Sequence, residues 1–139
     1  MAVSQGPLPA IVVDLGTATT FDVIARRRRY IGGAIAPGIR TSTEDLFRRA
    51  ARLARVEICR PRRRIGRTTE ENIQSGVFYG ALGAIDGIVR QLETQLRSEA
   101  RVVATGGLAE LIASASETVQ EVDEALTLRG LVRIAALND

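Results

Sequence analysis

The stretch "IVVDLGTATTF", residues 11–21, decides the fold. It begins as an apolar, β-branched run, typical of a strand buried on both faces, and stops at Asp14-Leu15-Gly16-Thr17. In an α/β sheet, ligands gather beyond the carboxyl ends of strands, where a carboxylate such as Asp14 can hold a cation. Gly16 lets successive backbone N–H groups face a phosphate, and Thr17, Thr19 and Thr20 could supply hydroxyl donors. An ordinary β-turn with local hydrogen bonds would use the same residues.

A second strand end is marked by glycines. The run "ATGGL", residues 104–108, ends a buried strand and opens a short helix. The bare backbone at Gly106 and Gly107 suits a base or ribose lying against it, or a phosphate at the helix start; a tight turn that caps the helix is the alternative. Two such strand ends in one small chain favour a nucleotide site. A carboxylate for a cation and amides for an oxyanion are the parts that phosphoryl transfer requires.

The remaining pattern predicts the order of the elements. Strands are expected at 18–25 and 30–36, joined as an antiparallel hairpin by four arginines. Capping boxes at Thr41/Glu44 and Thr68/Glu71 predict two helices, the first carrying Leu46, Phe47, Ala50, Leu53 and Ala54 on one side and the second running to about Arg97. The other predicted elements are strands at 10–14, 56–61 and 101–105, a helix from Leu108, a strand within 117–122 and a helix at 127–138. This succession predicts an α/β fold, with a mixed sheet flanked by helices in a single domain over residues 1–139.

Four glycines lie on one stripe of the long helix, at Gly76, Gly80, Gly83 and Gly87. Each costs about 1 kcal/mol relative to alanine in a helix, so the four cost about 3–4 kcal/mol. Close approach of another backbone would offset that cost. Packing against the sheet of the same chain and packing across a dimer both remain open.

Composition sets further limits. No apolar run is long enough to span a membrane, and the first residues lack a signal-peptide pattern, so we expect a cytoplasmic protein. With one cysteine and no histidine, neither an internal disulfide nor a zinc site is expected. All 19 basic residues are arginine, as a GC-rich genome or a reconstructed or designed sequence would produce. The runs Arg26–Arg29 and Arg60–Arg64 could contact nucleic-acid phosphates, but without a surrounding binding motif they favour solvated turns.

Six blocks of the sequence together resemble the C-terminal half of type III pantothenate kinases. In chain order they are "IVVDLGTATTFDVI", "YIGGAIAPGI", "IGRTTEENIQSGVFYG", "DGIV", "VVATGGLAELI" and "LTLRGLVRI". The resemblance implies a ribonuclease H-like domain of the acetate and sugar kinase, Hsc70 and actin superfamily. It also implies transfer of the γ-phosphate of ATP, which travels with magnesium, to the hydroxyl of pantothenate, the first step toward coenzyme A.

The resemblance also implies roles for particular residues. Asp14 would be the ligand of a monovalent cation, usually potassium, and Thr17 would contact ATP. The residues themselves add Gly16 for the phosphate and Gly106 and Gly107 for the nucleoside. The family's "GKNT" block reads Gly66-Arg67-Thr68-Thr69 here, so Thr69 would contact pantothenate, although it could equally be a solvated residue of the first helical turn. A homodimer is the expected assembly.

The chain departs from the family pattern in one important respect. Family members are about twice as long, and their first half carries an Asp-x-Gly-Asn-Thr motif and a Gly-x-Asp-Arg block whose aspartate is the general base. Neither motif occurs in these 139 residues. We therefore assign no catalytic residue and expect little or no kinase activity from the chain alone. It would work with a partner that supplies the N-terminal half, or it is a non-catalytic module that pairs with itself.

Overall fold

The computed structural model describes residues 6–50 and 52–138. They form a mixed α/β structure with a five-stranded sheet and four helices. In chain order the elements are β1 Ala10–Leu15, β2 Ala18–Ala25, β3 Arg29–Pro37, α1 Ile39–Arg49, α2 Thr69–Leu96, β4 Arg101–Thr105, α3 Ala109–Ala113, β5 Glu121–Val122 and α4 Leu126–Asn138.

The sheet has the strand order β3-β2-β1-β4-β5. The first three strands form an antiparallel meander, while β4 lies parallel to β1 and β5 lies parallel to β4. The carboxyl ends of β1 and β4 therefore meet at one edge of the sheet, beside the turn that leads from β1 into β2. We call this edge the strand-end rim; its residues are Asp14, Gly16, Thr17, Gly106 and Gly107.

The main core lies on one face of the sheet. Alternate residues of β1 point into it, and α2 and α3 cover it; its fully buried side chains include Ile11, Val13, Val89, Val102 and Ile112. On the opposite face, Ala10 and Val103 pack with Leu126 of α4 in a much smaller cluster. Because strand side chains alternate between faces, Asp14 belongs to this second, thinly covered face.

Most of the predicted elements are confirmed. In the β2–β3 turn, Arg28 adopts a left-handed conformation (φ 57°), which is the geometry that glycine or asparagine usually supplies. At the start of α2 the Thr68 side chain accepts a hydrogen bond from the Glu71 backbone N–H at 3.1 Å, as the capping box predicted. The strand predicted within 117–122 is reduced to the two residues of β5.

Two predictions around α1 are wrong. Helix α1 begins at Ile39 after Gly38, without a side-chain cap, and ends at Arg49, so Leu53 and Ala54 lie outside it. Thr41 caps nothing, because its hydroxyl donates to the Thr17 carbonyl at 2.9 Å. Residues 56–61 form no strand. They have no place in the sheet order, and Val56 and Ile58 instead line a small cavity with residues of α1.

The glycine stripe of α2 does not pack against the sheet. A methyl group added to Gly76, Gly80, Gly83 or Gly87 would meet no atom of the described chain within 4 Å beyond the helix's own backbone. This finding contradicts close packing within the chain, one of the two alternatives left open by the sequence. Among the described residues, no helix is long and apolar enough to cross a membrane.

Candidate functional site

The carboxylate of Asp14 lies between two glycines from neighbouring parallel strands. A Cβ built on Gly16 would lie 3.6 Å from Asp14 Oδ1, and one built on Gly106 would lie 3.0 Å from the same oxygen. Gly106 has a positive φ of 96°, and its added Cβ would also come within 2.7 Å of the Leu15 carbonyl oxygen. A side chain at position 106 would therefore collide with the strand end and with the carboxylate.

Asp14 has no partner within the described part of the chain. The side chain is half-buried, yet it makes no hydrogen bond and no ion pair there. A carboxylate carries about four acceptor sites, and a partly desolvated one is stabilised by any cation or donor that reaches it. The rim thus offers an acceptor-only group beside two stretches of backbone without side chains.

The turn that follows Asp14 is held in place by its own backbone and by contacts from Gly38 and Thr41. The Gly16 N–H donates to the Ala18 carbonyl at 3.1 Å, which closes the turn. Gly38 packs so closely against it that an added Cβ would lie 2.0 Å from the Thr17 carbonyl oxygen. The hydroxyl of Thr41 donates to that same carbonyl. These contacts fix the direction of the Gly16 and Thr17 backbone before any ligand arrives.

Two further hydroxyls lie beside Asp14; sequence reasoning named Thr20 as a possible donor but missed Thr105. The register places Thr20 of β2 and Thr105 of β4 directly opposite Asp14, one on each side. Neighbouring strands lie about 4.8 Å apart, so the three side chains form one row on the same face. Thr105 is 3% exposed. The signal is the period-two alternation, but it becomes readable only when the pairing register is known.

The donor set at the rim consists of oxygens. The described residues contain no cluster of three or more histidine, cysteine, aspartate or glutamate side chains that could hold a metal ion. One carboxylate with hydroxyls and carbonyls nearby suits a hard cation that completes its shell with phosphate oxygens or water, such as potassium or magnesium. The rim therefore fits a cation paired with a polyphosphate.

Three other residues singled out in the sequence are exposed to solvent. Thr17 and Gly107 are exposed at the rim. Thr69 is also exposed, as the first residue of α2, and it lines a mostly apolar groove of about 690 Å³ between α1 and α2. The first fully buried apolar side chain of α2 is Phe78, so Thr69 lies roughly 13 Å earlier along the helix axis. The structure brings Asp14, Gly16 and Gly106 together and leaves Thr69 in a separate groove.

A second aspartate fixes the segment behind the rim. Asp86 of α2 is buried and accepts hydrogen bonds from the Ser116 hydroxyl at 2.5 Å and the Thr118 hydroxyl at 2.7 Å. It also accepts from the backbone N–H groups of Glu117 and Thr118. Because this segment follows α3, Asp86 ties α3 and the preceding Gly106-Gly107 turn to α2.

Comparison with known proteins identifies the family of this chain. The family model "Type III pantothenate kinase" matches residues 1–91. The chain belongs to the type III pantothenate kinase family. The proteins named "Type III pantothenate kinase" in Halalkalibacterium halodurans and Acidobacterium capsulatum are 50% and 52% identical over 94% and 88% of this chain. These stretches cover 51% and 45% of the two relatives, so the chain spans about half the length of the curated relatives it matches.

One solved structure is similar over nearly the whole chain. It is the crystal structure of a protein named as a Baf family transcriptional activator, from Campylobacter jejuni. The TM-score is 0.65 at 25% sequence identity, over 94% of this chain and 58% of that one. As with the curated relatives, the match accounts for only part of the longer protein.

Proposed function

We propose that this chain is the ATP-binding half of a type III pantothenate kinase-like phosphotransferase with a ribonuclease H-like fold. The assembled enzyme would transfer the γ-phosphate of ATP to the hydroxyl of pantothenate and release ADP and 4′-phosphopantothenate. The observation that carries the proposal is the Asp14 carboxylate, which has no partner within the described residues and lies between Gly16 and Gly106 at adjoining strand ends. The family's name supports ATP and pantothenate as the substrates.

The proposed roles follow from position. Asp14 would hold a potassium ion, which neutralises phosphate charge when bound, while magnesium would arrive with ATP. The backbone at Gly16 and the side chain of Thr17 would orient the phosphates, and the backbone at Gly106 and Gly107 would lie against the nucleoside. Thr69 would contact pantothenate. Catalysis of phosphoryl transfer is mostly positioning and charge neutralisation. The contribution of this chain would therefore be the fixed turn that contains Gly16 and Thr17.

We further propose that this chain of 139 residues does not catalyse the kinase reaction by itself. They contain neither the Asp-x-Gly-Asn-Thr motif nor the Gly-x-Asp-Arg block, and the rim is open, with Gly16, Thr17 and Gly107 exposed. Two charges 4 Å apart interact by only about 1 kcal/mol in bulk water, compared with about 4 kcal/mol in a partly enclosed site. A second half closing over the rim would exclude that water and supply the general base.

Calorimetric titration with MgATP tests the site, and a complementation assay tests the reaction. We expect ATP to bind the chain more tightly in potassium than in a large organic cation. We expect turnover only after addition of a fragment covering the half of the Halalkalibacterium halodurans relative that this chain does not match. Turnover by the chain alone would contradict the proposed inactivity, whereas failure to bind ATP in either salt would contradict the site.

A non-catalytic half-domain that pairs with itself is the second candidate. The observations in its favour are the open glycine stripe of α2 and the five apolar side chains exposed on α4, Leu128, Leu131, Val132, Ile134 and Leu137. Two copies could then occupy the positions of the two halves of a kinase. Sedimentation at micromolar concentration distinguishes the candidates, because a monomer that still binds ATP excludes self-pairing as the main function.

A further inference from the structure

Five arginine side chains converge on one groove beside the start of α2. The groove has a volume of about 670 Å³ and is lined by Arg60, Arg62, Arg63, Arg64 and Arg67, with Tyr79 of α2. We call it the arginine groove. It contains none of the residues of the strand-end rim, and Thr69 lines a different groove. The arginine groove is therefore distinct from the strand-end rim, although Arg67 lies two residues before Thr69 in the chain.

The positive charge of the arginine groove is largely uncompensated. Arg63 lies 3.6 Å from the Glu71 carboxylate. Within the described chain, the guanidinium groups of Arg60, Arg62, Arg64 and Arg67 have no carboxylate at ion-pair distance and no hydrogen-bond partner. Like charges gathered in this way repel one another, and a multiply charged anion in the groove would relieve that repulsion.

The backbone of the arginine groove is fixed to α2. The Ser75 hydroxyl donates to the Arg64 carbonyl at 2.5 Å, and the Arg67 N–H donates to Glu71 Oε2 at 2.7 Å. Gly66 packs so closely that an added Cβ would lie 2.6 Å from the Asn72 backbone nitrogen. A solvated turn requires none of these contacts. A backbone that is already ordered loses less conformational entropy when a ligand binds.

The chemistry of the arginine groove matches phosphate. A guanidinium presents a planar fork of donors that fits two phosphate oxygens at once, and four unpaired forks match the charge of a di- or triphosphate. Tyr79 contributes one ring and one hydroxyl.

A long nucleic acid fits the arrangement of charges less well. The other arginine run, Arg26–Arg29, lies at the opposite end of α2, where Arg26 contacts Ser98. Glu71, which pairs with Arg63, lies in the first turn of that helix. The two runs are thus separated by roughly 40 Å of helix and form no continuous basic track beside the groove.

We propose that the arginine groove is a second anion site, which binds a small molecule carrying two or more phosphate groups. This inference goes beyond the proposed transfer reaction and does not depend on it.

Titration calorimetry of the full chain with inorganic triphosphate, without divalent metal, tests the proposal. The variant Arg62→Gln/Arg64→Gln removes two exposed guanidinium groups and leaves the Ser75 contact, which uses the Arg64 backbone, intact. Its matched control, Arg27→Gln/Arg29→Gln, makes the same change in net charge at the far hairpin. We expect the groove variant to weaken triphosphate binding at least about tenfold and the control to change it by less than about twofold.

A further pair separates phosphate geometry from charge alone. Arg62→Lys/Arg64→Lys keeps both charges and removes the planar forks, and we expect binding about threefold weaker than in the parent chain. An unchanged dissociation constant in this variant would overturn the role of the planar guanidinium forks in binding. Equal losses in the groove and hairpin glutamine variants would overturn the site, since they would indicate diffuse attraction. The site would also be overturned if neither glutamine variant lost triphosphate binding. It would be overturned as well if a single-stranded oligonucleotide bound more tightly than triphosphate and both glutamine variants weakened that binding.

Discussion

Asp14 and Asp86 are both held at the edge of the core, yet their surroundings differ completely. Asp86 is 6% exposed and accepts hydrogen bonds from two hydroxyls and two backbone N–H groups of residues 116–118. Asp14 is half-buried and accepts none from the described chain. A buried carboxylate whose acceptor sites are filled is part of the structure. One left unfilled between two glycines is available to a ligand.

The same contrast extends to the electrostatics of Asp86. Burial disfavours the charged form and by itself would raise the pKa of this carboxyl. The hydrogen bonds from Ser116, Thr118 and the Glu117 backbone N–H favour the charged form more strongly, so the pKa of Asp86 lies below its ordinary value. The protein thus stabilises the charge of Asp86 with its own donors, whereas within the described chain Asp14 has no donor of this kind.

The largest expected effect is that of Asp86→Ala. Removal of the carboxylate leaves four donors of the 116–118 segment without their acceptor, so we expect the free energy of unfolding to fall by about 2–4 kcal/mol. Urea denaturation followed by circular dichroism measures it. Asp45→Ala is the matched control, because Asp45 is paired with Arg48 and Arg49 on the exposed side of α1, and it should lose far less. Equal losses in the two variants would contradict a structural role for Asp86.

A smaller effect is expected at the glycines beside Asp14. Gly106→Ala forces a side chain into a left-handed conformation and against the Leu15 carbonyl, which we expect to cost about 1–3 kcal/mol of unfolding free energy. Gly107→Ala is the control, because an added methyl group there meets nothing within 4 Å; its effect should stay within about 0.5 kcal/mol. Similar thermal unfolding of the two variants would show that the strand ends are not closely packed.

Much of the fold could be predicted because local signals agreed with the tertiary structure. A continuous apolar, β-branched run identified β1, two strand-like runs on either side of four arginines identified the β2–β3 hairpin, and the Thr68 capping box identified the start of α2. The prediction of a strand at 56–61 was wrong because strand propensity is realised only where a neighbouring strand is available to pair with. Here residues of α1 provide the packing surface instead.

Part of the candidate site could likewise be predicted from the sequence, and part of it could not. The approach of Gly16 and Gly106 to Asp14 was predictable, since parallel strands end at the same edge of a sheet. The roles of Gly38 and Thr41 were not, because a contact with the Thr17 carbonyl depends on how α1 is placed. Nor did the sequence show which face of α2 would remain open.

Strong acid should remove the stabilisation that the Asp86 carboxylate provides. Since the pKa of Asp86 is lowered from 3.8 in the folded state, its stabilisation is fully present above about pH 5 and is lost as the pH falls through the folded-state pKa. The difference in unfolding free energy between the parent chain and Asp86→Asn should be constant from about pH 5 to 7 and shrink below about pH 4. A difference that grew with acidity would mean that the pKa is raised instead.

The smallest expected effect on stability is that of Asp14→Asn, and it sharpens the comparison most. The substitution keeps the shape of the side chain and breaks no hydrogen bond within the described chain, so the free energy of unfolding should change by less than about 0.5 kcal/mol. ATP binding in potassium should nevertheless weaken by about tenfold, since the amide carries no charge for the cation, while binding in a large organic cation should hardly change. Urea denaturation and calorimetry on the same preparation separate the two quantities. A large loss of stability with unchanged ATP binding would place Asp14 with Asp86 among the structural carboxylates, and the ligand site proposed at the strand-end rim would have to be abandoned.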